Sequence, residues 1–158
     1  MVKKSDIKDM NVDYKKLMIA AGDAAKRAYS PYSGVSVGAA LLAASGTVYT
    51  GANIENASYS AGICAERVAF ASAVAAGERE FIAMVVYVTG AGKGIAAQFP
   101  PCGICLQFMR EFTIPEKFEV VLGEPVHFSV YKLKELLPMS FGPDNINIQR
   151  SCSPDCTL

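Results

Sequence analysis

The stretch Gly62-Ile63-Cys64-Ala65-Glu66-Arg67, taken with Pro101-Cys102-Gly103-Ile104-Cys105 further along, decides how this chain is read. The two segments supply three soft thiolate ligands and a carboxylate that need not be a ligand, one ligand short of a closed zinc site. Cys102 and Cys105 are three apart and share a helix face, so both reach one ion if a helix begins at Pro101, a residue suited to the first helical position. Three protein ligands plus a water is the catalytic zinc arrangement, in which the metal lowers the pKa of its water from near 16 to roughly 7. Glu66 is then the natural proton carrier. Both cysteine segments read as helix openings, where the positive helix end favours thiolates at Cys64, Cys102 and Cys105.

Three further motifs accompany these two: Ser30-Pro31-Tyr32-Ser33, Asn53-Ile54-Glu55-Asn56-Ala57-Ser58-Tyr59, and Leu136-Leu137-Pro138-Met139-Ser140-Phe141-Gly142-Pro143. With them the chain resembles, from about Tyr14 to Pro143, the small homotetrameric cytidine deaminases of pyrimidine salvage. The resemblance implies the cytidine deaminase fold, with zinc on Cys64, Cys102 and Cys105 and Glu66 as a proton shuttle that is not a ligand. The implied reaction is attack of a zinc-bound hydroxide on C4 of cytosine, converting cytidine, and 2'-deoxycytidine as well, to the uracil nucleoside and ammonia. It further implies that Asn53, Glu55, Tyr59 and Ala65 contact substrate, that Arg67 offsets the thiolate charge, and that Phe141 reaches a neighbouring subunit's site.

Two departures stand out. Three thiolates and one divalent cation sum to minus one, and an ionised Glu66 adds to the excess; where many relatives place arginine after the last cysteine, this chain has Leu106, so one offsetting cation is missing. Relatives often carry phenylalanine where Val35 stands, and the loss of an aromatic face removes a contact with the base of order 1 kcal/mol.

Composition narrows the partners. The 158 residues suffice for one domain with a real core, and a formal net charge of zero argues against a broad electrostatic footprint for nucleic acid. A small nucleoside fits better. The polar opening Met1-Val2-Lys3-Lys4-Ser5-Asp6 has no apolar run of signal-peptide type behind it, no stretch is long and apolar enough for a bilayer, and an odd set of five cysteines reads as reduced thiols, so a cytoplasmic protein is expected.

In chain order, Tyr14, Leu17, Met18, Ala21, Ala25 and Ala28 recur at helical spacing, which predicts a helix over residues 12–29 capped by Asn11 or Asp13. Val35–Ala43 and Thr47–Ala52 read as a hairpin turned at Ser45-Gly46, the second strand delivering Asn53 and Glu55 on one side. On the residues alone these two better suit a polar strand end satisfied by local backbone; the resemblance reverses that reading and gives them to a ribose. A helix over Ile63–Ala76 stopped by Gly77, a buried strand over Phe81–Thr89, the second cysteine helix to about Phe112, strands at Phe118–Leu122 and Val126–Val130, and a short helix over Tyr131–Leu137 follow.

This order predicts a three-layer α/β/α sandwich with a mixed five-stranded sheet in a domain spanning 1–148, and an unstructured tail at 149–158. Gly90-Ala91-Gly92-Lys93-Gly94 lacks the spacing of a phosphate loop and reads as an ordinary loop. His127, in the predicted last strand, has no partner motif, and the tail cysteines Cys152 and Cys156 flank a proline that breaks the face they would need. Two other classes remain: a deaminase of another aminopyrimidine or nucleoside antibiotic, and a non-catalytic zinc protein, for which a fourth ligand would be expected.

Overall fold

The computed structural model describes residues 12–90 and 99–146. The glycine loop at 91–98, Asn11 and the tail with Cys152 and Cys156 lie outside the described residues. The chain runs α1 (Tyr14–Ala25), β1 (Val35–Ala43), β2 (Val48–Ala52), α2 (Ala65–Ala75), β3 (Phe81–Gly90), α3 (Gly103–Phe112), β4 (Glu119–Gly123), β5 (Phe128–Lys132) and α4 (Leu133–Leu136). The strands form one mixed sheet in the order β2-β1-β3-β4-β5, with β3 and β4 parallel and the other neighbours antiparallel.

Strand alternation divides the core. Ala40, Val85 and Val121 are register partners across three strands and meet Leu17, Met18 and Ala21 of α1 on one face. Their neighbours Leu41, Met84 and Val120 point the other way, into a larger cluster with Phe70 of α2 and Met109 of α3. The expected three-layer α/β/α sandwich is therefore the fold. Because β1 runs antiparallel to both β2 and β3, α2 and α3 each cross between parallel strands and begin beyond strand carboxyl ends, where open α/β sheets bind ligands.

Several element ends differ from the sequence reading. Asp13 caps α1 through Lys16 N at 3.0 Å, but the helix stops at Ala25 because Tyr29 leaves it to bridge the 53–55 segment: Tyr29 N donates to Asn53 O (2.9 Å) and Glu55 N to Tyr29 O (2.8 Å). Pro101 is not the first helical residue. Cys102 keeps an extended backbone (φ −68°, ψ 163°) and is itself the N-cap of α3. His127 lies in the turn before β5, where Glu124 and His127 exchange backbone hydrogen bonds of 2.8 and 3.1 Å, and the strand extends over Tyr131 and Lys132 at the expense of the last helix. Gly77 stops α2 as expected: its φ of +95° ends the helix, and Glu78 N closes it on Ala73 O at 3.0 Å.

Candidate active site

Cys64 and Cys102 are the N-caps of α2 and α3, and Cys105 lies in the first turn of α3, so two helix amino ends converge on three sulfur atoms. The Sγ atoms of Cys64 and Cys102 are 3.9 Å apart, those of Cys102 and Cys105 3.6 Å, and all three lie within 4.8 Å of one another. Sulfurs bound tetrahedrally at about 2.3 Å from one zinc ion would stand about 3.8 Å apart. The spacing fits the ion.

The protonation of this cluster makes the same point. In the metal-free chain the Cys64 thiol is lowered to about 5, first by its hydrogen bond with Cys105 and, against burial, by Arg67. The Cys105 thiol is pushed far upward by the bond with Cys64 and by burial. The sulfurs of Cys64 and Cys105 thus share one proton between them, and a divalent metal is a cation that would take its place.

Glu66 follows Cys64 by two residues in the first turn of α2 and is buried, 4% exposed. Burial, joined by the negative Cys64, pushes its carboxyl up to about 7. That value suits a group that takes and returns a proton near neutral pH. Arg67 Nη2 lies 3.8 Å from Cys64 Sγ and 3.5 Å from Gly62 O. Leu106, at the position of the missing second cation, is 7% exposed and packed in the larger core cluster.

The remaining expected contacts are held as follows. Asn53 uses both ends of its amide on the start of β1, accepting from Val37 N at 2.8 Å and donating to Val35 O at 3.0 Å. Glu55 accepts from Tyr32 N (2.9 Å), Ser33 N (3.2 Å) and the Ser33 hydroxyl, which ties down the Ser30–Gly34 turn. Tyr59 is exposed and meets Tyr32 edge-on with ring centroids 5.9 Å apart. Ala65 is fully buried against β2. Phe141 is exposed; Gln107 Nε2 donates to its carbonyl at 3.0 Å, and beside it Arg110 reaches Ser140 Oγ (3.1 Å) and Asp144 (2.8 Å).

The sequence reading missed Ser33 as a partner of Glu55, Arg110 as the holder of the Phe141 segment, and Gly51 beneath α2. Only Gly51 left a signal: a glycine inside a strand pattern marks close approach of another backbone.

Comparison with known proteins agrees with this geometry. The family model described as the cytidine and deoxycytidylate deaminase zinc-binding region matches residues 11–121. The chain belongs to this family. It is 40% identical over 139 residues to a cytidine deaminase of Sporosarcina psychrophila, covering 86% of this chain and 96% of that one. Among solved structures, the cytidine deaminase of Burkholderia pseudomallei superposes with a TM-score of 0.73 at 43% identity, covering 82% of this chain and all of that one. That of Mycobacterium tuberculosis gives 0.69 at 33%, covering 84% and 99%. In this chain of a zinc-binding family, Cys64, Cys102 and Cys105 are thus positioned to bind the metal ion. No helix among the described residues is long and apolar enough to cross a membrane.

Proposed function

We propose that the chain is a zinc-dependent deaminase of cytidine and 2'-deoxycytidine, releasing uridine or deoxyuridine and ammonia. The observation that carries the reading is the convergence of a three-thiolate cluster with the buried carboxyl of Glu66 on neighbouring turns of α2 and α3. The family match and the relatives named cytidine deaminase support the substrate.

Cys64, Cys102 and Cys105 would hold the metal, which when bound would supply the Lewis acidity that makes water a competent nucleophile at neutral pH. Glu66 accepts a proton from the attacking water as the oxygen adds to C4 and passes it to the ring nitrogen N3; it then takes the proton of the new C4 hydroxyl and passes it to the amino group, so that the C4 carbonyl forms as the carbon–nitrogen bond breaks and ammonia leaves. Burial of Glu66 serves both directions of transfer, because it brings the carboxyl's affinity for the proton near that of the medium. Arg67 draws charge from the Cys64 sulfur. Asn53 and Glu55 offer polar atoms from the strand end to the ribose, and Tyr59 and the first-turn backbone at Ala65 line the base. A net charge of zero supports a free nucleoside over a polynucleotide.

Assembly as a homotetramer belongs to the same reading: Tyr59, Ile104, Met139 and Phe141 are large, exposed and apolar, and Phe141 would enter a neighbour's site. Reduced thiols at the metal suit a cytoplasmic setting. The domain is read as 1–148, with 149–158 outside it.

The test is zinc content together with turnover of cytidine, deoxycytidine and free cytosine. One zinc per chain with activity on both nucleosides and little on cytosine is expected. Zinc without turnover of any of them would favour a non-catalytic zinc protein, and activity confined to cytosine would move the substrate to a different aminopyrimidine.

A further inference from the structure

Two glycines of the sheet sit directly beneath helices, on opposite faces. A methyl group built on Gly51 of β2 would lie 2.3 Å from Ala65 O and 2.6 Å from Ala69 N of α2. One built on Gly38 of β1 would lie 1.9 Å from Ala21 O and 2.5 Å from Ala25 N of α1. All four contacts are with helix backbone, which cannot swing aside as a side chain can. The two sites are alike in packing and differ in what their helix carries.

Ala65 stands between Cys64 and Glu66, so the carbonyl that rests on Gly51 belongs to the turn that presents the metal ligand and the proton carrier. Relieving a 2.3 Å contact requires α2 to lift by roughly 1 Å. Metal–ligand distances tolerate about 0.2 Å. Cys102 and Cys105 ride on α3 and would not follow, so the sulfurs of the two helices would be pulled out of register with each other. α1 bears none of these groups.

We infer that Gly51 is a positioning residue for the metal centre: its missing side chain sets the depth at which α2 lies on the sheet and thereby brings Cys64 and Glu66 into register with Cys102 and Cys105. This inference rests on the reading of the three cysteines as the metal site but not on the identity of the substrate.

The experiment compares Gly51→Ala and Gly38→Ala in the full chain, measuring zinc affinity by competition with a chromophoric chelator and kcat/KM on cytidine. Gly51→Ala is expected to weaken zinc binding by about 10- to 100-fold and kcat/KM by about 100-fold in folded protein. Gly38→Ala lowers the melting temperature but leaves both within about threefold of the parent, a split that a purely structural role for either glycine would not produce. If Gly51→Ala yields no folded protein, Ala69→Ser adds one atom to the fully buried face of α2, at the residue whose backbone nitrogen lies over Gly51, and is expected to weaken zinc binding by about threefold or more. The inference is overturned if folded Gly51→Ala binds zinc within about threefold of the parent, if Gly38→Ala loses affinity equally, or if Ala69→Ser, used in its place, leaves zinc binding unchanged. A parent that binds zinc but does not deaminate cytidine would overturn the proposed reaction while the affinity comparison still decides the role of Gly51.

Discussion

The guanidinium Nη2 of Arg67 lies 3.8 Å from the sulfur of Cys64, three residues back across the first turn of α2. Arg67 is thus a cation placed on a thiol that is lowered to about 5 in the metal-free chain. Removing it should let the thiol's proton bind more firmly. In metal-free protein, the ultraviolet thiolate absorbance of Arg67→Ala is expected to titrate about one unit higher than the parent's. A midpoint that stays where it was would show that the Cys105 hydrogen bond and the helix end suffice without the arginine.

Glu66→Gln preserves volume and removes the proton carrier, so it should keep its zinc and lose at least about 100-fold in kcat. Turnover within about tenfold of the parent would exclude Glu66 as the general acid and base.

The same substitution has a signature in stability. In the metal-free protein Glu66 ionises at about 7 against an ordinary 4.5, so ionisation opposes folding. The stabilising preference is complete below 4.5 and is lost as pH rises to about 7. Relative to Glu66→Gln, the metal-free parent should therefore lose stability between those two values, by at most about 3 kcal/mol, with no further change above. Urea unfolding of both proteins at pH 5 and pH 8 checks the sign.

Leu106 fills core volume where a cation was expected, and its contribution should read as packing. Leu106→Ala is expected to cost about 2–4 kcal/mol and Leu106→Met less than about 1.5 kcal/mol. Equal costs for the two would show that the site collapses around the smaller side chain.

Arg110 is buried while its partner Asp144 is 67% exposed, at 2.8 Å. Solvent around the carboxylate reduces the pair's worth, but its loss leaves a buried guanidinium less well matched. Asp144→Ala should cost about 1–2 kcal/mol alone and close to nothing in an Arg110→Met background, a difference that a double-mutant cycle in urea measures directly.

Much of the site was legible because its signals are local. The order of helices and strands follows from apolar periodicity and from Gly77, and the cysteine spacing carries its chemistry within a few residues. The misplaced boundaries have a common cause. α1 ends early because Tyr29 finds backbone partners in the 53–55 segment, and β5 lengthens because Tyr131 and Lys132 pair with Val120 and Glu119; both are contacts between distant parts of the chain that outweigh local propensity.

By itself the sequence determined the layer architecture and the three thiols that come together, and it singled out Glu66 as the carboxyl beside them, since spacing and residue type suffice for these. Only the tertiary structure decided that Cys64 and Cys102 cap two different helices, that Asn53 and Glu55 brace β1 and the Ser30–Gly34 turn, that Leu106 belongs to the core, and that Gly51 sets the depth of α2. Each of these depends on which surfaces the fold presses together, and a close approach between backbones far apart in the chain leaves at most a lone glycine as its trace.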